Sequence, residues 1–309
     1  MRKSRWINGW AAVLAAAGLV AVPAQARQFD TAKPEDVLAI NRKLACSATD
    51  GVPTVFWWKG NAMSRVPGEQ DRVLFAVQGM NVRQCVSFKD PRRGPGYRSV
   101  SREVMLYLDP KTGEVLKTWK NPWTGKDVEV IHVQNDPVNM RRPSYAYRED
   151  GTPVEFDGLV VKGKLITSGE APLFYPNPLA GAPEYQPYVG GSYHAMEMIN
   201  FYADAKQVLD SRVADVTDLT ISWARVSQWL PWMDMGDRPG LVFFSTVGKK
   251  VSGIDALSEP LRGEILRNYP LYREPPPADD ARPNETTWSF VKKVLDARRA
   301  AAAAAKPAQ

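Results

Sequence analysis

Two charged side chains stand out because of the residues they alternate with. Between Leu219 and Trp229 the odd positions are Leu219, Ile221, Trp223, Arg225, Ser227 and Trp229, while the even ones are the smaller Thr220, Ser222, Ala224, Val226 and Gln228. Alternate residues of an extended strand share a face, so Arg225 points with the bulky set. The run Tyr193, Ala195, Glu197, Ile199, Phe201 sets Glu197 in the same way. A guanidinium among tryptophans is expensive to bury alone and needs a carboxylate, an anionic ligand or an aromatic face. The pattern predicts that Glu197 and Arg225 lie on neighbouring strands and face one interior. As structure, such a pair fixes strand register. As chemistry, Glu197 is the candidate general base, with Arg225 as the electrostatic partner that orients a carbonyl, phenol or carboxylate.

The stretch Ser227 to Gly240 is the second candidate. Pro231 and Pro239 remove backbone donors and Gly236 and Gly240 invite turns, yet the stretch carries Trp229, Leu230, Trp232, Met233 and Met235. An irregular loop this apolar either plugs the end of a β-structure or walls a pocket for an apolar or aromatic small molecule. In the second case Trp223, Trp229, Trp232, Met235 and Tyr193 are the ligand-binding residues. Other chemistries lack their signatures. His194 faces away from Glu197 on a regular strand, and His132 alternates with Val128 and Val130 as a core histidine does. Two histidines and two distant cysteines carry no zinc-ligand spacing, so no metal site is expected. There is no Gly-x-Ser-x-Gly elbow, P-loop or dinucleotide glycine motif, and no cofactor is expected.

The elements that position these residues are mostly strands. Thr54 to Lys59, Arg72 to Gln78, Met80 to Phe88, Tyr97 to Leu108, Glu114 to Lys120 and Lys126 to Gln134 are rich in Val, Phe, Trp, Tyr and Thr and bounded by turn residues. Leu159 to Thr167, Ser192 to Tyr202, Leu219 to Trp229 and Leu241 to Val247 extend the set. Asp109 to Gly113 and Asn121 to Gly125 both place proline after an acid or amide and end in glycine, as hairpin turns do. Gly79 interrupts an apolar run and reads as a bulge or bend. Trp57 and Trp58, as strand neighbours, face opposite sides. Helices are expected at Pro34 to Leu44, within Gly253 to Asn268, and from about Asn284 onward. The fold class is therefore mainly β: a large antiparallel β-barrel or strongly curved sheet with short N-terminal and C-terminal helices.

Residues 1–26 read as a signal peptide, with Arg2, Lys3 and Arg5 before an apolar run and Ala24-Gln25-Ala26 at the cleavage site. Residues 27–273 form a single β-rich domain, and 274–309 a proline-rich connector with a C-terminal helix and frayed tail. No later stretch is apolar enough to span a membrane, which places the mature chain in the periplasm or outside the cell. The net charge of +6 is mild, half of it comes from Arg2, Lys3 and Arg5, and no nucleic-acid module is present. Cys46 and Cys85 are either bridged or two separate buried thiols.

These residues resemble a bacterial family known only as domain of unknown function 1838. The resemblance rests on Asp109 to Glu114, Asn121 to Gly125, Asn135 to Asn139, Trp229 to Gly236 with Pro239-Gly240, and Gly248 to Lys250, and covers about Asp50 to Arg273. It implies an exported bacterial protein, often with a twin-arginine leader that this chain lacks, and implies no activity or catalytic residue. The functional reading preferred from the residues is an enzyme, a lyase, isomerase or hydrolase, acting by acid/base chemistry on an apolar or aromatic small molecule in a barrel cavity roofed by Trp229 to Met235. The alternatives are a non-catalytic periplasmic small-molecule binding protein and an envelope protein-interaction module.

Overall fold

The computed structural model describes residues 27–182 and 185–305. The signal-peptide reading therefore lies outside the described residues. In chain order the elements are α1 (Pro34–Ala45), β1 (Thr54–Arg65), β2 (Val73–Asp90), β3 (Gly94–Leu108), β4 (Thr118–Lys120), β5 (Asp127–Glu129), β6 (Val133–Asn135), β7 (Ser144–Tyr145), β8 (Gly158–Val161), β9 (Lys164–Pro176), β10 (Ser192–Asp204), α2 (Ala205–Leu209), β11 (Leu219–Gln228), β12 (Leu241–Val251), α3 (Leu261–Arg267) and α4 (Thr287–Ala304).

The main sheet runs in the order β6-β3-β2-β1-β12-β11-β10-β9-β8, with β7 added on β3, and β4 pairs with β5 apart from it. The paired strands are antiparallel throughout. This corrects the expected barrel or strongly curved sheet. The end strands β6 and β8 do not pair with each other, so the sheet stays open rather than closing or curling up on itself. Alternation and turn signals are the same in open and closed sheets, because closure depends on a pairing between strands far apart in sequence. The mainly β class is corrected too. The architecture is mixed, a large antiparallel sheet with helices packed on both faces.

The helices form for local reasons. Pro34 opens α1, Glu35 and Asp36 sit in its first turn and Arg42 and Lys43 in its last, each complementing the helix dipole. Its buried stripe is Val37, Ile40 and Leu44. Thr286 caps α4, accepting from the Ser289 N–H while Ser289 accepts from the Thr286 N–H. The disulfide Cys46–Cys85 ties the end of α1 to β2 across a separation of 39 residues.

One face of β1, β2 and β3 carries Val55, Met80, Val82, Val104 and Leu106 and packs under Leu257, Leu261, Ile265 and Tyr272. The opposite face is apolar at both ends. At one end Phe56, Leu165, Leu219 and Ile221 meet Ile40 and Leu44 of α1 and Val208 of α2. At the other, Phe75, Tyr107 and Phe244 meet Trp229, Trp232 and Met233 of the tryptophan loop and Trp288 of α4. Gly79 marks no bulge; the shift between β1 and β2 falls at Ala62/Met63. Trp58 is the register partner of Gly79, and a Cβ there would lie 2.4 Å from its indole. The glycine is a seat for Trp58.

Replacing Cys46 and Cys85 together by alanine is expected to lower the unfolding free energy by about 3 to 4 kcal/mol, the loop-closure value for a link of this span. Urea unfolding checks it, and coincident midpoints for the two proteins would show that the bridge contributes nothing.

Candidate functional site

Glu197 of β10 and Arg225 of β11 are direct register partners, as the alternation requires. Arg225 Nη1 lies 3.4 Å from Glu197 Oε1, and Nη2 donates to the Tyr193 hydroxyl at 2.8 Å. Burial works against the guanidinium, but Tyr193, Glu197 and Tyr175 together outweigh it and hold its pKa above the ordinary arginine value. The Nε–H of Arg225 is buried without a protein acceptor among the described residues.

These residues do not stand alone. A chamber of about 460 Å³ lies over the middle of the face, between its two apolar ends. One wall is apolar: Phe56 and Trp58 of β1, Phe201 of β10, and Ile221 and Trp223 of β11. The other is polar: Asn81 and Arg83 of β2, and Ser101 and Glu103 of β3. Asn81 is paired in register with Glu103, and Arg83 with Ser101, so the four form a block on adjacent strands. Arg83 Nε donates to Asn81 Oδ1 at 2.7 Å, and its guanidinium lies 4.8 Å from the centre of the Phe56 ring. A second chamber of about 300 Å³ adjoins the first, sharing Glu103, Glu197 and Asn139 with it, and reaches Arg225 and Glu285.

Burial, reinforced by the Glu197 carboxylate and opposed by Arg225 and Arg83, raises the Glu103 carboxyl to about 7. Burial likewise lowers Arg83 to about 10, with Glu103 and Tyr97 acting the other way. Sequence reasoning missed both groups. The alternation test that isolates Glu197 isolates Glu103 when applied to Ser99, Ser101, Glu103, Met105 and Tyr107, and Arg83 in β2 by the same rule.

What closes the chamber is irregular chain, not strand. Residues 135–140 run along β3, with Val138 N–H bonded to Ser101 O and Met140 N–H to Ser99 O. The Asp136 carboxylate accepts from Arg102 Nε at 2.7 Å and from Arg282 Nη2 at 2.9 Å. Asn139 and Asn284 exchange hydrogen bonds at 2.8 and 2.7 Å, and Glu285 N–H bonds to Pro137 O.

The tryptophan loop is elsewhere. Trp229, Trp232 and Met233 are core residues at one end of the face, with Trp232 against Phe75, Tyr107 and Trp119 and Trp229 against Trp123. Asn121 Nδ2 pins the loop through Met233 O at 2.9 Å, and a Cβ on Gly240 would lie 2.4 Å from Trp229. Trp229 and Trp232 line neither chamber, while Met235 faces a surface depression with Lys126 and Asp234. The loop is a plug and not a roof. Tyr193 is buried between Tyr175 and Trp288 and reaches the site only through Arg225, whereas Trp223 lines the chamber directly. His132 is a core histidine whose Nδ1 accepts from the Tyr107 N–H, and burial lowers it to about 4. His194 lies on the other face against Phe174.

The acid/base enzyme in a barrel cavity is corrected by this geometry. The sheet of the described residues is open and encloses no barrel lumen, while Glu197 and Arg225 themselves lie paired as expected. Among the described residues no group of three or more His, Cys, Asp or Glu side chains could hold a metal ion. No helix among them is long and apolar enough to cross a membrane.

Fold and site together define an open antiparallel-sheet protein with a chamber of mixed lining beneath an irregular wall. The chain belongs to the family described as Protein of unknown function (DUF1838), whose model matches residues 51–295 and so contains every chamber residue named above. None of the curated proteins compared with the chain matches it.

Glu103 keeps its proton to higher pH in the folded chain than in the unfolded one. Its contribution to stability is thus complete below about pH 4.5 and is lost as the pH rises through about 7. Glu103→Gln is expected to remove that slope, gaining about 2 kcal/mol on the wild type between pH 5 and pH 8 after allowance for solvent in the chamber. Thermal melts across this range check it, and parallel curves for the two proteins would sink it.

Proposed function

We propose that this chain is a non-catalytic binding protein for an apolar or aromatic small molecule held in the larger chamber. The observation that carries this reading is the division of the lining. Phe56, Trp58, Phe201, Ile221 and Trp223 offer a flat apolar body one wall, while Asn81, Arg83, Ser101 and Glu103 face it with polar groups. Mostly apolar walls with a few convergent polar groups, at about 460 Å³, are what small-ligand sites have in general. The tilted pair Trp58–Trp223, 6.0 Å between ring centres, gives an aromatic ligand two faces to pack against. Trp58 is held in place by its seat on Gly79, so the wall is preorganised and less ordering is needed on binding. The protein acts, in this reading, in the periplasm or outside the cell. The leader-like residues 1–26 and the Cys46–Cys85 bridge support that location.

Native mass spectrometry of the mature protein, isolated from its own compartment, is expected to show a discrete excess mass that disappears on denaturation. Trp223→Ala removes a half-buried chamber wall and is expected to weaken retention by about tenfold or more while leaving the fold intact by circular dichroism. A bare wild-type mass, together with no affinity for polycyclic aromatic probes, would overturn the reading.

A further inference from the structure

We infer that the ligand is an aromatic monocarboxylic acid and that Arg83 is the residue that reads its carboxylate. This rests on the binding role proposed above and adds the chemistry of the ligand's polar end. Three arginines line the chambers: Arg83 the larger one, Arg225 and the exposed Arg141 the smaller one. Arg225 has Glu197 at 3.4 Å and the Tyr193 hydroxyl at 2.8 Å. Arg83 has no carboxylate within ion-pair distance among the described residues, and one hydrogen bond, from Nε to Asn81. Its side chain lines the larger chamber, stacked on Phe56, with its two Nη groups making no hydrogen bond to described protein. A planar guanidinium fixed by one bond and one ring presents a fork that matches a carboxylate.

The charge balance selects the same class. Glu197 and Arg225 offset each other, and burial favours the protonated form of Glu103, so the charge left over in the larger chamber is that of Arg83, positive and at most one. One carboxylate neutralises it. A phosphate dianion would bring excess negative charge up to Glu103 and Glu197. The polar block stands on β2 and β3, beside Phe56 and Trp58 of β1 and on the far side of β1 from Trp223 of β11, so a ring carboxylic acid lies along the sheet with its ring on the tryptophans and its acid on Arg83.

Anthracene carboxylate and the matched anthracene carboxamide test this on the mature wild-type protein and on Arg83→Gln, with binding followed by fluorescence. The wild type is expected to prefer the carboxylate by about tenfold or more, and Arg83→Gln to bind the two alike. Equal affinities on the wild type would overturn the inference and leave the binding reading standing. Failure of both probes to bind would overturn the inference, and together with a bare wild-type mass would overturn the binding reading as well. A preference that survives in Arg83→Gln would remove the assignment to Arg83, and if that variant does not fold, the wild-type comparison still decides for or against the carboxylate.

Discussion

Asp136 sits between two guanidiniums, and that arrangement gives an open sheet a protected interior. Burial alone would raise its pKa; the hydrogen bonds from Arg282 and Arg102 more than offset this and hold the carboxylate below its usual range. Arg102 belongs to β3 and Arg282 to the segment leading into α4, so one ionised side chain joins one wing of the sheet to the end of the chain. In a barrel the same join is made by a ladder of backbone hydrogen bonds between first and last strands. Here the loop 135–140 and residues 280–287 are tied to each other mostly by side-chain bonds, and they leave room behind them. Both chambers lie along that substitute wall, which contributes Val138 and Asn139 to each.

The interior kept in this way is polar in the middle and apolar at both ends, and the order has a physical reason. The ends are where helices and the tryptophan loop can reach, so Ile40 and Leu44 of α1 or Trp288 of α4 cover the sheet with hydrocarbon. No element reaches the middle. Side chains there must satisfy one another or face solvent, and Arg225 does the first through Glu197 and Tyr193, while Arg83 and Glu103 border the open space. The site lies where packing stops.

Much of this was legible in the sequence, and what was not shares one cause. The period-two alternation put Glu197 opposite Arg225 and split Trp57 from Trp58, because strand geometry is local. The hairpin loops at Asp109 and Asn121 were legible for the same reason, each using its side-chain oxygen to accept from the two backbone N–H groups that follow within the turn. Whether β6 and β8 would meet depended on how a long sheet twists, which no residue encodes alone. The tryptophan loop misled in a similar way: its composition demanded a cover for apolar surface, and it does cover it, but beside the chamber rather than above it. The sequence of the 18-residue β2 looks like two strands because Gly79 resembles punctuation, when its lack of a side chain serves a neighbour on β1.

Helix α4 gives the molecule a direction in time. Trp288 and Val291 are fully buried in the cluster that holds the tryptophan loop, Trp288 against Tyr193 of β10, and the segment just before them supplies part of the chamber wall. The ribosome makes α4 and that segment after every strand of the sheet. A nascent chain that has finished β12 still lacks the indole that covers Tyr193, and apolar surface left open in this way is what chaperones hold. Completion of the final segment stoppers it. The chamber wall is thus complete only once the segment leading into α4 has been made.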